Sequence, residues 1–589
     1  MKKIFLLLTL AAMVLAGCNE DDFLEEKALD FNSASNSYST PADFDAAVAE
    51  LYYLTREEYY TTYDRTTDLS KYADMWITAD PLTSNVISDL SPSGAIAQFY
   101  WDENYKLIAQ ANTVISRLPQ SSSLTEEQKK VYDAQARFFR ALGYRTLVLL
   151  YGDVPLQLEE VTEPKTDFTR ESKDVIIKQC VEDLEYAAAN LPEIKAVRDG
   201  EISKPAANML LAEFYLMQGE NGKAVDATTA VINNPNLALM TERFGSEANE
   251  EGDAFCDLFR PNNQNRASGN TESIWVIQFE TNVEGGGNNT SHFFWNQGSF
   301  WGERFFAPQV DKFHIITPEG TPLQLFNWPI GDRTGGRGIG TQYAVDHLNS
   351  GIWQEDFNDM RNSEYNWPRR YKIHRTEVLQ QYPELAAAMP DGYYDLENTV
   401  LPQGYTIEAG FDGGVNAPTR LPNRFMCGYS TKMTTPFHHP AAQYGDASTY
   451  TLAGTGGKTY TDQYFFRLAE AYLLRAEAYV NLGKKTEAAA DINVLHSRAK
   501  AKPCTAEQMT IDYILDERLR ELVCEETRRL TLARVGKLYE RITKYNPYFD
   551  AAHSADKKPY DKHFDLFPIP LSAIQANKDA ELQQNPGYN

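Results

Sequence analysis

Basic side chains are scarce in this sequence. Its 589 residues carry 56 Lys and Arg against 82 Asp and Glu, a formal net charge of −26. A nucleic-acid binder needs a basic face to neutralise phosphates, so that class is excluded. Cysteine is scarcer still, at six. The five beyond Cys18 (Cys180, Cys256, Cys427, Cys504 and Cys524) are an odd, dispersed set with no CxxC. That is neither a disulfide framework nor a zinc or redox motif. Long apolar runs are missing too. The one such run, Ile4 to Gly17, falls short of the ~20 residues of a membrane-spanning helix.

Enzyme signatures are equally hard to find. There is no HExxH and no GxSxG. Gly454 to Thr459 approaches a P-loop, but Leu452 stands where its first glycine belongs. Asp332 to Thr341 is glycine-rich without the strand–helix setting of a dinucleotide fold, and reads as a flexible loop. His438-His439 has no third ligand at a useful spacing and reads as a surface pair. The expectation is a non-enzyme with no cofactor and no metal ligands. Carboxylate pairs for glycoside hydrolysis stay open because Asp and Glu abound. A structural calcium ion stays open as well, although no EF-hand spacing occurs.

What is present begins at the N terminus. Lys2 and Lys3, an apolar middle and a small-residue end make residues 1–17 a secretory signal. Leu15-Ala16-Gly17-Cys18 resembles a bacterial lipobox, which would make Cys18 the lipidated first residue of the mature chain. Residues 18–40 form a tether that starts acidic, similar to the export signal of Bacteroidota surface lipoproteins. The expected place is the outer membrane, lipid-anchored and facing the cell exterior.

Hydrophobic residues make up 42% and aromatics 12%, enough for a large core. Residues 41–239 read as helical blocks. Thr40 and Pro41 are placed to start a helix over 41–60. A second covers 98–118, Thr125 with Gln128 makes a capping box for a third, and a fourth covers 171–190. Ala212, Tyr215, Gly219 and Ala224 have a spacing that Ala476, Tyr479, Gly483 and Ala488 repeat without a gap. The small residue lets two helices close up, and Tyr fills their groove. Gly ends the first helix left-handed, and the second Ala packs the return helix. The pattern resembles the tetratricopeptide repeat. Its two copies lie far apart, which argues against a regular solenoid. Between 240 and 460 Gly, Pro, Asn and Trp accumulate and periodicity fades, apart from a short strand at Ser273 to Phe279. That stretch reads as a loop-rich ligand-binding region. Residues 461–589 return to a helical hairpin, and the whole reads as one integrated domain.

The C-terminal third is recognisable. Ile514 to Leu522 (ILDERLREL) matches the late helix of the SusD/RagB family. Phe567-Pro568-Ile569-Pro570, followed by Gln584-Asn585-Pro586-Gly587-Tyr588, resembles the family's chain end. Tyr105 to Ile115, Ala134 to Leu156, Ser203 to Leu216 and Phe466 to Ala499 resemble further family elements, in order. Glu526, Arg529 and Thr531 depart from the pattern, which commonly has Gly, an aromatic and Asp there. The resemblance implies a mainly α fold: a SusD-like helical scaffold with several tetratricopeptide-type hairpins and a large irregular loop region with short strands. It implies cell-surface binding of a nutrient, an oligosaccharide or polysaccharide, and delivery to a SusC-like TonB-dependent outer-membrane transporter. A peptide-binding, RagB-like receptor is the alternative, and a glycoside hydrolase a further one.

A sugar offers C–H faces to flat rings and hydroxyls to short polar side chains. Residues 292–306 are dense in aromatics, and Trp295 and Trp301 are the ligand candidates there. Trp328 and Trp353 flank another loop. The resemblance adds Trp101 and Asn104, which share one helix face at i and i+3, with Asp80 in a preceding loop.

Overall fold

A computed structural model describes residues 38–60, 68–78, 90–281, 287–288, 300–408, 421–454, 456–549 and 559–588. Cys18, Asp80 and Trp295 lie outside them, as do the signal and most of the tether.

Six long helices come first: α1 (Pro41–Tyr60), α2 (Ala95–Arg117), α3 (Glu126–Leu150), α4 (Lys173–Asn190), α5 (Lys204–Gln218) and α6 (Asn221–Ile232). At the start of α1 the Asp43 carboxylate accepts the Ser39 and Thr40 N–H groups at 2.8 and 2.7 Å. At α3 the capping box of Thr125 and Gln128 forms in both directions. After the loop-rich stretch come α7 (Leu468–Asn481), α8 (Lys485–Arg498), α9 (Ile511–Leu522) and α10 (Arg528–Arg534).

Each helix from α2 to α6 packs on the next, α6 packs on α7, and α7 packs on α8 and α9. The two repeat-like hairpins, α5/α6 and α7/α8, are therefore direct neighbours. Their separation in sequence, which argues against a regular solenoid, does not reveal this contact. The loop region between them is an insertion that leaves the helical stack continuous. Ala212, Ala224, Ala476 and Ala488 are fully buried at the close approaches. Gly219 and Gly483 have φ of 74° and 72°. Neither would crowd a Cβ, so what these positions need is left-handed backbone rather than room.

The insertion leaves and rejoins the stack through one antiparallel pair, β1 (Ser273–Ile277) with β2 (Gln463–Arg467). Every residue of β1 is buried, which fits its unbroken apolar centre. Within the insertion a three-stranded sheet (406–408, 314–316 and 322–324) and a pair (370–372 with 393–395) enclose a second apolar core. Phe313, Ile315, Phe326, Tyr371, Tyr394 and Tyr429 belong to it. The glycine-rich run 332–341 is packed rather than loose. A Cβ on Gly338 would lie 2.4 Å from the Ala307 carbonyl oxygen, and one on Gly340 2.1 Å from that of Arg424. The P-loop-like stretch is a clasp, whose Gly456 carbonyl accepts the buried Arg304 guanidinium at 2.7 Å.

The chain end closes the fold. The Phe567 N–H donates to the Leu150 carbonyl at the end of α3. The Asn585 amide donates to the carbonyls of Tyr151 and Phe567 at 2.9 and 2.8 Å. Two departures from the family pattern compensate each other, since the Thr531 hydroxyl donates to the Glu526 carboxylate at 2.8 Å. Arg518 and Arg528 flank the same carboxylate.

Candidate functional site

Four of the expected ligand residues are interior in this structure. Trp101 is 7% exposed, wedged against Tyr105 and Tyr151 with ring centroids 5.0 and 5.2 Å away. The chain end packs over Tyr151 and buries that side of α2, so Trp101 belongs to the core. Asn104 is fully buried, and its amide donates to Glu58 at 3.1 Å and to the Tyr100 carbonyl at 2.7 Å. Burial raises the Glu58 carboxyl to about 7. Trp301 is covered by the Arg304 guanidinium at 4.0 Å and has the Lys458 ammonium 5.3 Å away. Trp353 is buried and donates its indole N–H to the Leu348 carbonyl at 3.1 Å. None of these four offers an open face. Trp328 is half-buried, donates to the Gly338 carbonyl at 2.9 Å, and is stacked by Arg337 at 4.0 Å. The histidine pair also divides. His439 is buried 2.5 Å from Glu303, while His438 faces Glu247 at 2.9 Å. Among the described residues no group of His, Cys, Asp and Glu could hold a metal ion.

Open aromatic surface lies elsewhere in the insertion. Phe437 and Tyr450 are 40% and 42% exposed. Their rings meet edge to face at 5.3 Å, on a hollow of about 250 Å³. Phe259 and Tyr365 line it too, with Arg333, Thr435 and His438, and Glu250 and Glu251 lie at the rim. Seven described non-glycine residues have positive φ, and three of them carry this hollow: Thr435 (41°), Phe437 (70°) and Tyr450 (55°). Such backbone costs ~1–3 kcal/mol per residue and persists only where surrounding contacts impose it. Those contacts are visible. The Phe437 N–H donates to the Gly331 carbonyl at 2.7 Å, and the Gly331 N–H to the Tyr450 carbonyl at 2.8 Å. The Tyr460 hydroxyl donates to the His438 carbonyl at 3.0 Å and also meets the Thr435 hydroxyl. With the backbone held this way, both rings stand part-exposed on the surface.

Polar groups stand beside the rings. The Arg333 guanidinium lies 4.7 Å from the Tyr365 ring and 5.7 Å from that of Phe437, and 3.4 Å from Glu251. Under the floor, Lys432 lies 4.5 Å from the Phe259 ring, donates to the Glu521 carbonyl at 2.8 Å and pairs with Glu525. Glu521 accepts Arg467 at 2.6 Å and Arg361 at 2.9 Å, and Arg498 pairs with it as well. Burial alone would raise the Glu521 carboxyl, but Arg498, Arg467 and Arg361 overcome it and hold the group well below the usual carboxylate range. Glu521 of the family-like helix α9, with Glu525 just beyond its end, thus anchors the floor of the hollow through buried ion pairs.

A model described as the SusD family matches residues 396–588, and one described as starch-binding, associating with the outer membrane, matches residues 22–216. The chain belongs to the SusD/RagB family. SusD-like protein P25 of Formosa agariphila is 24% identical over 95% of this chain and 94% of its own length. The starch-binding protein SusD of Bacteroides thetaiotaomicron is 36% identical over 22% of each chain. Among solved structures, a laminarin-binding SusD-like protein superposes with a TM-score of 0.62 at 21% identity, over 94% of this chain and all of that one. Surface glycan-binding protein A of Bacteroides thetaiotaomicron in complex with laminarihexaose gives 0.59 at 18% identity, over 93% of this chain and all of that one. At such identities these likenesses establish the SusD-like helical fold. Carbohydrate binding and outer-membrane association hold at the level of the family.

Sequence reasoning missed Phe437, Tyr450, Tyr365 and Arg333 because it followed tryptophan. The chain has 8 Trp but 34 Tyr and 29 Phe, and most Trp went to the core. Pro436 next to Phe437, and the Ser-Thr-Tyr-Thr stretch around Tyr450, were the signals available.

Proposed function

We propose that this SusD/RagB protein is a lipid-anchored surface receptor that holds part of an oligosaccharide or polysaccharide against the Phe437–Tyr450 hollow. It then passes that ligand to a SusC-like TonB-dependent transporter. The observation that carries this reading is the pair of outward rings held by left-handed backbone beside Arg333 and the rim glutamates. Rings cover the C–H face of a sugar, while the guanidinium and carboxylates take its hydroxyls. Glu250 and Glu251 are sequence neighbours on one rim, a poor arrangement for the two flanking carboxylates of a glycosidase. Binding without bond cleavage is the chemistry this geometry supports, and Cys18 would carry the anchor.

Replacing Phe437 or Tyr450 by Ala should weaken glycan binding about tenfold or more, from ~1.5–3 kcal/mol of lost ring burial. Titration calorimetry against the best ligand from a glycan array measures it. Unchanged affinity in both variants would remove the hollow from the site. Cys18→Ala should shift the protein from the membrane to the soluble fraction, and retention in washed membranes would refute the anchor.

A further inference from the structure

We infer that the aromatic hollow selects uncharged saccharides and disfavours polyanionic ones, an inference that rests on the function proposed above. The charges facing the hollow are unequally available. Arg260 lies in its wall but is taken up by Glu247 at 3.1 Å and Asp257 at 3.5 Å, with its side chain only 10% exposed. Arg333 is stacked and already beside Glu251. His438 sits between Glu247 at 2.9 Å and Glu250 at 3.7 Å. Burial lowers its pKa against the pull of Glu247, so at neutral pH it adds no positive charge. The Glu250 and Glu251 side chains, by contrast, are 61% and 79% exposed at the rim.

A carboxylate or sulfate seated against Phe437 and Tyr450 would therefore meet two solvent-facing carboxylates and one guanidinium that is already partnered. The chain's net charge of −26 adds a repulsive field at longer range. A neutral sugar meets no such opposition, because the same carboxylates accept its hydroxyls and Arg333 donates to them. Exposed charges act within a Debye length of ~10 Å at 0.1 M salt, which makes the discrimination strongest in dilute buffer.

The test uses the full-length protein in detergent on two immobilised panels. One holds neutral β-glucan, xylan, mannan and starch. The other holds polygalacturonate, alginate and chondroitin sulfate. At about 20 mM salt the best neutral polymer should bind about tenfold or more tighter than the best polyanion. The Glu250→Gln/Glu251→Gln double variant, altered only at exposed side chains, should narrow that gap about threefold or more, with polyanion affinity rising in absolute terms. A polyanion that binds tightest, with affinity falling as salt rises, would overturn the inference, and so would a double variant that leaves the gap intact. If Phe437→Ala also abolishes that polyanion's binding, the hollow stands as the site and only its selectivity is lost. If the wild type binds nothing on either panel, the proposed function fails and the inference with it.

Discussion

Replacing Glu58 by Gln tests whether the Asn104 region is core or ligand surface. Glu58 is 2% exposed and accepts the Asn104 amide at 3.1 Å. Burial raises its carboxyl from 4.5 to about 7. A carboxyl raised in the folded state makes that state bind more protons than the unfolded chain between those two values. Stability should therefore fall as pH rises from about 4.5 to about 7 and stay low above that range. At 1.36 kcal/mol per pH unit the loss is about 3 kcal/mol by pH 8. Gln keeps the acceptor for Asn104 and cannot ionise. The variant should match the wild type near pH 4.5 and exceed it by about 3 kcal/mol at pH 8, worth about 2–3 °C in Tm for a chain of this length. Urea unfolding at both pH values reads this directly. A stability gap between variant and wild type that does not change with pH would mean the Glu58 carboxyl titrates normally, and the burial argument would fail.

Three further outcomes follow from the packing. Trp101→Ala should cost about 3–5 kcal/mol in urea unfolding while leaving glycan affinity unchanged; intact stability with lost affinity would return Trp101 to the ligand surface. Tyr460→Phe removes the hydroxyl that ties residues 435–438 and keeps the ring. It should lower Tm by about 1 °C yet weaken glycan binding about threefold to tenfold, and a fall in Tm with affinity intact would deny it a positioning role. Gly219→Ala and Gly483→Ala should each cost about 1–2 kcal/mol, because both positions need left-handed backbone; a neutral result in denaturant melts would contradict that requirement.

The helical frame was readable because its signals are local. The Thr125–Gln128 capping box and the Ala-Tyr-Gly-Ala spacing each fix a helix end or a close approach within a dozen residues. That the two hairpins stack was not readable, since it depends on β1 and β2 closing the insertion from nearly two hundred residues apart in sequence. The binding surface was harder still. Trp101 and Asn104 share one helix face as expected, but whether that face is open depends on the chain end folding over α3. Phe437 and Tyr450 are each tied to Gly331 by a backbone hydrogen bond, and Tyr460 holds the neighbouring Thr435 and His438, contacts with no periodicity to reveal them.

The most direct measurement is glycan affinity in the Phe437→Ala/Tyr450→Ala double variant, with far-ultraviolet circular dichroism and Tm taken on the same sample. Both side chains project into solvent, so the fold and Tm should hold while binding to the best array ligand falls about a hundredfold or disappears. A double variant that binds as tightly as the wild type would show that the sugar is gripped elsewhere on the molecule.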